Sequence, residues 1–210
     1  MGENPTGNTS AELMVDLIIS LDGYASGEGW PGWWGLEGPE YLAWLEEEGQ
    51  KDITLLMGAN TYRVMSSLSQ QAADQASDFS EDEGASLGGL AEMPKVIFSN
   101  TLQEPLAWPN TELVRGDAVQ AVQELKRTRT GTLSTLGSLS LSRSLLSAGL
   151  VDRFRLVVFP VITGRTGSER IYDGYPDVAL ELISSRTFDG RSQLLEYIPT
   201  VIDGPPPGRA

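Results

Sequence analysis

Neither cysteine nor histidine occurs among the 210 residues. Thiol nucleophiles, thiolate zinc sites, Fe–S ligation, disulfides and histidine-based triads are therefore excluded. Positive charge is also scarce: 15 Lys and Arg stand against 29 Asp and Glu, a net charge of −14. A polyanionic partner needs a basic stripe and none is visible, so neither nucleic acid nor membrane is an expected partner. No apolar run approaches the roughly 20 residues of a membrane-spanning helix. The opening Met1-Gly2-Glu3-Asn4-Pro5 lacks the basic-then-apolar layout of a secretory signal, and the expectation is a cytoplasmic protein. Acid–base chemistry must rest on carboxylates, Tyr, Lys, a bound water or a cofactor that carries the difficult step.

What is present is an ordinary globular composition, 40% hydrophobic and 21% charged, enough for one α/β domain with a substantial core. Residues 1–11 read as a disordered leader, 12–202 as a single domain and 203–210 as a disordered tail. Short apolar runs at 13–21, 53–57, 96–98, 132–136 and 153–161 read as strands, most of them buried. Between them, 39–49, 60–68, 117–126 and 139–148 read as helices, with Pro39 opening the first and Asp117 capping the third. Tyr41 and Trp44 fall on a packing face of the first helix. The runs 179–188 and 192–201, joined by Asp189-Gly190, form the strongest hairpin signal in the chain. The segment 69–93 carries six acids and no base. It reads as an acidic mobile loop, with an acidic interaction segment as the other reading. Alternating strands and helices predict an α/β fold: a mostly parallel central sheet, helices on both faces and a C-terminal antiparallel hairpin.

Several short motifs lie where a strand gives way to a turn or helix. Met57-Gly58-Ala59-Asn60-Thr61-Tyr62 offers a close backbone approach at Gly58 and a hydroxyl at Thr61, beside the positive end of a helix. Ser99-Asn100-Thr101 begins a turn. Leu136-Gly137-Ser138-Leu139 opens another helix, with no large side chain in front of its unpaired N–H groups. Gly164-Arg165-Thr166-Gly167 is a flexible turn. Each also reads as a purely structural turn or cap. Ser20-Leu21-Asp22-Gly23-Tyr24 places Asp22 at the carboxyl end of the first strand, where open α/β sheets bind ligands. A partly desolvated carboxylate there can hold a substrate amine or steer a proton, and Asp22-Gly23 also reads as a simple turn. Trp33 and Trp34 sit in a Gly/Pro loop, where rings stack on a flat ligand or merely cover the core edge.

In this order the motifs resemble the dihydrofolate-reductase-like superfamily, and within it the riboflavin biosynthesis reductase branch, as a stand-alone member without the deaminase domain. The resemblance spans about residues 13–202. It implies a reductase that uses NADPH to transfer a hydride to a C=N or C=O group of a small heterocyclic substrate. Relatives of that kind are 5-amino-6-(5-phosphoribosylamino)uracil reductase and dihydrofolate reductase. It also implies cofactor contacts at Gly58, Asn60, Thr61, Ser99, Asn100, Thr101, Gly137, Ser138, Leu139 and Gly164. Asp22 becomes the catalytic candidate, with Ser20, Tyr24, Trp33 and Trp34 on the substrate side; no metal is implied, and a homodimer is. Asp16 and Tyr24 stand where the riboflavin branch commonly has Lys and Arg, and Ala59 where many members have a basic residue. Arg63 and Arg115 are the replacements at hand for the last. The alternative is a protein that keeps the fold and binds a nucleotide or small molecule without turnover.

Overall fold

The computed structural model describes residues 10–29, 34–73 and 81–204; Trp30 and Trp33 lie outside the described residues. Six strands run parallel: β1 (Glu12–Ser20), β3 (Ile53–Gly58), β4 (Lys95–Phe98), β5 (Thr111–Val114), β6 (Thr132–Thr135) and β7 (Arg153–Phe159). The hairpin β9 (Val178–Phe188) and β10 (Ser192–Val201) adds two strands antiparallel to each other, and β10 is antiparallel to β7. The order across the sheet is β5-β4-β3-β6-β1-β7-β10-β9. This is the predicted α/β architecture of a mostly parallel sheet closed by an antiparallel hairpin. Hydrophobic β-branched and Leu-rich runs suit strands buried on both faces.

Alternation along the strands sorts the core into two sides. Leu13, Val15, Leu17, Leu56, Leu133 and Phe154 pack under α4 (Ala118–Thr128) and α5 (Leu139–Ser147). On the other face, Ile53, Leu55, Met57 and Ile97 pack with Tyr62 of α2 (Ala59–Ala73), while Val157 and Leu194 pack with Tyr41 and Trp44 of α1 (Pro39–Gly49). Tyr41 and Trp44 are the packing residues expected of them. Asp117 caps α4, its Oδ1 accepting the N–H groups of Val119 and Gln120. Among the described residues, no helix is long and apolar enough to cross a membrane.

One local expectation is corrected and one element is added. Part of the segment read as an acidic loop is helical: α2 continues to Ala73, and α3 spans Glu81–Glu92 against α1 and α2. Leu87 is fully buried, and Leu90 and Ala91 pack on the Tyr62–Trp108 cluster, so three apolar positions override the acidic composition. Lys95 anchors the end of α3 from the next strand. Its buried ammonium donates to the carbonyls of Leu90, Ala91 and Met93 and lies 4.6 Å from the Trp108 ring centre. The addition is a small antiparallel ribbon of β2 (Tyr24–Gly27) and β8 (Gly167–Arg170), two stretches not read as strands.

Candidate functional site

Chain direction reverses between β3 and β6. From β3 the chain moves outward to β4 and β5; from β6 it moves the other way, to β7. A crevice opens at such a switch point, outside the carboxyl ends of the strands. The register sets Leu56 beside Thr135, and the Leu136 N–H donates to Leu56 O at 2.9 Å. Gly58 and the Gly137-Ser138 turn therefore stand level across the crevice. Gly137 and Ser138 both have left-handed backbones (φ 56° each), which glycine adopts freely and serine at a cost of about 1 kcal/mol. This turn lifts the Ser138 side chain out of its usual helix-capping role and across to β3. Its hydroxyl oxygen accepts the Gly58 N–H at 2.8 Å, and its proton goes to Thr61 Oγ1 at 2.7 Å. Thr61 keeps its own proton to donate. A Cβ at Gly137 would meet Thr61 at 3.5 Å, an ordinary contact, so the left-handed backbone rather than space is what favours glycine here.

Beside the crevice, Ser99 Oγ accepts the N–H groups of Thr101 and Leu102 (3.1 Å each), and Asn100 Oδ1 accepts the Gly116 N–H at 2.8 Å. The triplet is thus a turn locked to the exit of β5. Asn60 Oδ1 accepts from Arg63, whose guanidinium stays exposed, and Arg115 donates to Leu102 O on the same edge. Leu139 is half-buried at the start of α5 and packs on the core.

On the other side of the crevice, Asp22 follows β1. Its carboxylate accepts the Ser20 hydroxyl (2.7 Å) and the N–H groups of Gly164 (2.9 Å) and Thr163 (3.2 Å), with the Thr163 hydroxyl at 3.4 Å. Burial pushes this carboxyl up, but the bonds from Ser20, Gly164, Thr163 and its own N–H overcome that and bring it down to about 2. Asp22 is therefore an anion at any ordinary pH and fastens the loop after β7 to the end of β1. A proton-donating role is not open to it. Ser20 is fully buried; besides donating to Asp22 it accepts the Tyr24 N–H, so its hydroxyl closes the turn and offers no surface to a ligand. Tyr24 belongs to the ribbon. Its ring fills the space that a side chain at Gly167 would need, and Arg170 lies 5.9 Å from its ring centre. Trp34 is only 2% exposed, within the cluster of Tyr41, Trp44 and Phe159. Its expected stacking on a ligand gives way to the core-covering reading.

The sheet thus brings Ser99, Gly58, Gly137, Ser20 and, just past β7, Gly164 to one edge, on five adjacent strands. Four strand spacings span about 19 Å. Two groups at this edge escaped the sequence reading. Thr163, buried beneath Asp22, lay in the segment after the last parallel strand and was given no role of its own. Asp189 read as a hairpin turn. Its carboxylate accepts the Glu40 and Tyr41 N–H groups and caps α1, while the Asp189 N–H donates back to Glu40; Gly38 leaves room for it. Two cavities of about 300 Å³ lie away from this edge, one beside Lys51 and Met93, the other beside Phe154 and Tyr172.

Comparison with known proteins agrees with this fold. The curated relative YyaP of Bacillus subtilis (strain 168), itself uncharacterized, is 25% identical over 177 residues, covering 84% of this chain and 88% of YyaP. A Shewanella sp. PV-4 protein named for riboflavin biosynthesis superposes with a TM-score of 0.63 at 21% identity, over 90% of this chain and 99% of its own. Dihydrofolate reductase from Enterococcus faecalis, solved with NADP(H), superposes with a TM-score of 0.56 at 12% identity, over 90% of this chain and 96% of its own. The family model of the RibD C-terminal domain matches residues 11–194, and the chain belongs to that family.

Proposed function

We propose that the protein is an NADPH-dependent reductase that transfers a hydride to a C=N or C=O carbon of a small, flat heterocycle. The observation that carries this reading is the meeting of Gly58, Thr61, Gly137 and Ser138 across the β3–β6 crevice, with two helices starting there. Small residues, a free Thr61 proton and two helix N-termini suit a pyrophosphate. Asn60, Ser99, Asn100 and Thr101 lie at the adenosine end, where Arg63 and Arg115 supply positive charge. Leu139 and Gly164 lie toward the reacting end. The fit is thus reasonable on donors and space alone. When bound, NADPH supplies the hydride. The chain's own part is to hold it, to place the Gly164 loop through Asp22, and to form the wall beside Tyr24; the proton comes from solvent. The family's oxidoreductase chemistry supports the reaction class, and the losses of cationic residues at Asp16 and Tyr24 favour a neutral or cationic heterocycle over a phosphorylated one.

One observation favours a second reading, binding without turnover. Asp22, the carboxylate placed nearest the reacting end, has its acceptors occupied by its own loop. Titration with NADPH and NADH, followed by nicotinamide fluorescence, tests the site. NADPH oxidation with heterocyclic acceptors then separates the two readings. Micromolar NADPH affinity with turnover supports the reductase; affinity without turnover supports sequestration; affinity for neither overturns the reductase and leaves binding of another small molecule.

A further inference from the structure

On the α4–α5 side of the sheet, a cavity of about 300 Å³ lies between the end of α5, β7 and the start of β9. Leu146 and Phe154 are buried and form its floor; Tyr172 and Leu180 stand at its rim, 46% and 43% exposed. Aromatic rings meet there at near right angles. Tyr175 is edge-to-face with Phe154 (6.3 Å between ring centres, 80°) and with Tyr172 (6.3 Å, 86°). Aromatic walls around an open volume of this size suit a flat ring.

Two donors beside the cavity lack acceptors. The Tyr175 hydroxyl and Arg143 Nε are both buried, and neither has a hydrogen-bond partner among the described residues. Buried polar groups are nearly always paired, so an orphaned donor marks a place for an acceptor. Burial pushes the Tyr175 phenol up to about 12, with Arg143 working against that shift from nearby. The phenol therefore keeps its proton and is a donor at ordinary pH. The Arg143 guanidinium packs beneath Gly174, where a Cβ would lie 3.2 Å from Nε.

Charge narrows the choice of ligand. Asp177 lines the cavity and Arg143 adjoins Tyr175; among the described residues neither has an ion-pair partner. Opposite charges next to one small volume disfavour a net charge of either sign within it. A carboxylate meets Asp177, and an ammonium meets Arg143. An uncharged primary amide suits both, its carbonyl accepting from Tyr175 and its NH2 donating to Asp177.

The cavity is also tied to the turn that carries Asp22. The Ile171 N–H donates to Gly23 O at 3.0 Å, and the Tyr172 ring lies 3.0 Å from where a Cβ on Gly23 would stand. An occupant touches this ring without entering the crevice.

We infer that this cavity is a second small-molecule site, for a flat, uncharged aromatic carboxamide. Its ring packs among Phe154, Tyr172 and Tyr175, and its carbonyl accepts the Tyr175 hydroxyl proton.

Benzamide is the probe, with benzoate and benzylammonium as charged controls. Amide chemical-shift titration of the full chain should give benzamide a Kd of about 1 mM. Each control should bind at least about tenfold more weakly. The shifts should centre on residues 171–178 and Gly23 rather than on Gly58, Thr61 and Ser138. Tyr175→Phe keeps the ring and removes the donor, and should weaken benzamide about fivefold. The outcome is independent of NADPH binding in the crevice. Failure of benzamide to bind overturns the inference. So do shifts centred on the crevice, a charged control that binds as tightly, or a Tyr175→Phe chain that binds benzamide as well as wild type does.

Discussion

Ser138 bridges Gly58 and Thr61, accepting from one at 2.8 Å and donating to the other at 2.7 Å. The starts of α2 and α5 are thereby fastened together across the crevice, although 77 residues separate Ser138 from Thr61. A chain of donors that runs from a backbone N–H through two hydroxyls ends in one proton, on Thr61, and each link polarises the next.

Loss of that terminal donor is expected to weaken cofactor binding more than it weakens the fold. For Thr61→Val, the NADPH dissociation constant should rise about tenfold, the worth of one charge-assisted hydrogen bond. Ser138→Ala should weaken NADPH and also lower the thermal midpoint, because it leaves the Gly58 N–H without an acceptor. Fluorescence titration and thermal melts read the two effects separately. An unchanged NADPH affinity in Thr61→Val removes the phosphate assignment.

Asp22 links stability to acid. Its carboxyl is held at about 2, below the ordinary 3.8, so the folded state favours the anion. That contribution is fully present above about pH 4 and is lost as pH falls through about 2. Denaturant melts of wild type and Asp22→Asn should therefore differ at neutral pH and converge toward pH 2. The same variant should loosen the loop at Gly164. A gap that persists unchanged to pH 2 would mean the carboxylate's charge is not what holds this loop.

Arg155 is a second buried cation of the sheet, in addition to Lys95. It is bidentate to Asp16 (2.7 and 3.0 Å), reaches Glu48 at 2.6 Å and lies 4.9 Å from the Trp44 ring centre. Burial works against its charge, and the two carboxylates outweigh that and raise its pKa. Arg155→Met leaves Asp16 without its cation and Glu48 with Lys51 alone, and should cost about 3–5 kcal/mol in urea denaturation. The triple change Asp16→Asn, Glu48→Gln, Arg155→Met should recover most of that loss. Failure to recover would place the cost in packing against Trp44.

Lys95 holds α3 in place through three carbonyls and the Trp108 face. Lys95→Met keeps the stem but removes the donors, and should destabilise by about 1.5–3 kcal/mol. Hydrogen exchange localises the effect: amides of residues 84–92 should exchange faster while those of β1 and β7 keep their protection. Uniform loss across all three would make α3 part of the global core.

The nature of each element was legible where its own residues settle it. Pro39, the acid at Asp117 and the Asp189-Gly190 pair marked a helix start, a cap and a hairpin, because each acts on the backbone within a few residues. The acidic stretch misled because charge density outnumbers apolar residues, yet Leu87, Leu90 and Ala91 at helical spacing suffice once a core lies beneath them. Trp34 misled for the opposite reason: a ring in a Gly/Pro loop gives no sign of which way the loop folds.

The sequence by itself determined the strand–helix alternation, the small residues at the strand ends, the resemblance in motif order and the exclusion of thiol and imidazole chemistry. All of these follow from local periodicity, turn preference and composition. Only the tertiary structure decided that Ser138 joins Gly58 to Thr61, that Asp22 spends its carboxylate on Thr163 and Gly164, and that Asp189 caps α1 from 149 residues away. Those bonds form between groups brought together by strand order, and no local pattern encodes which carboxyl end will lie beside which.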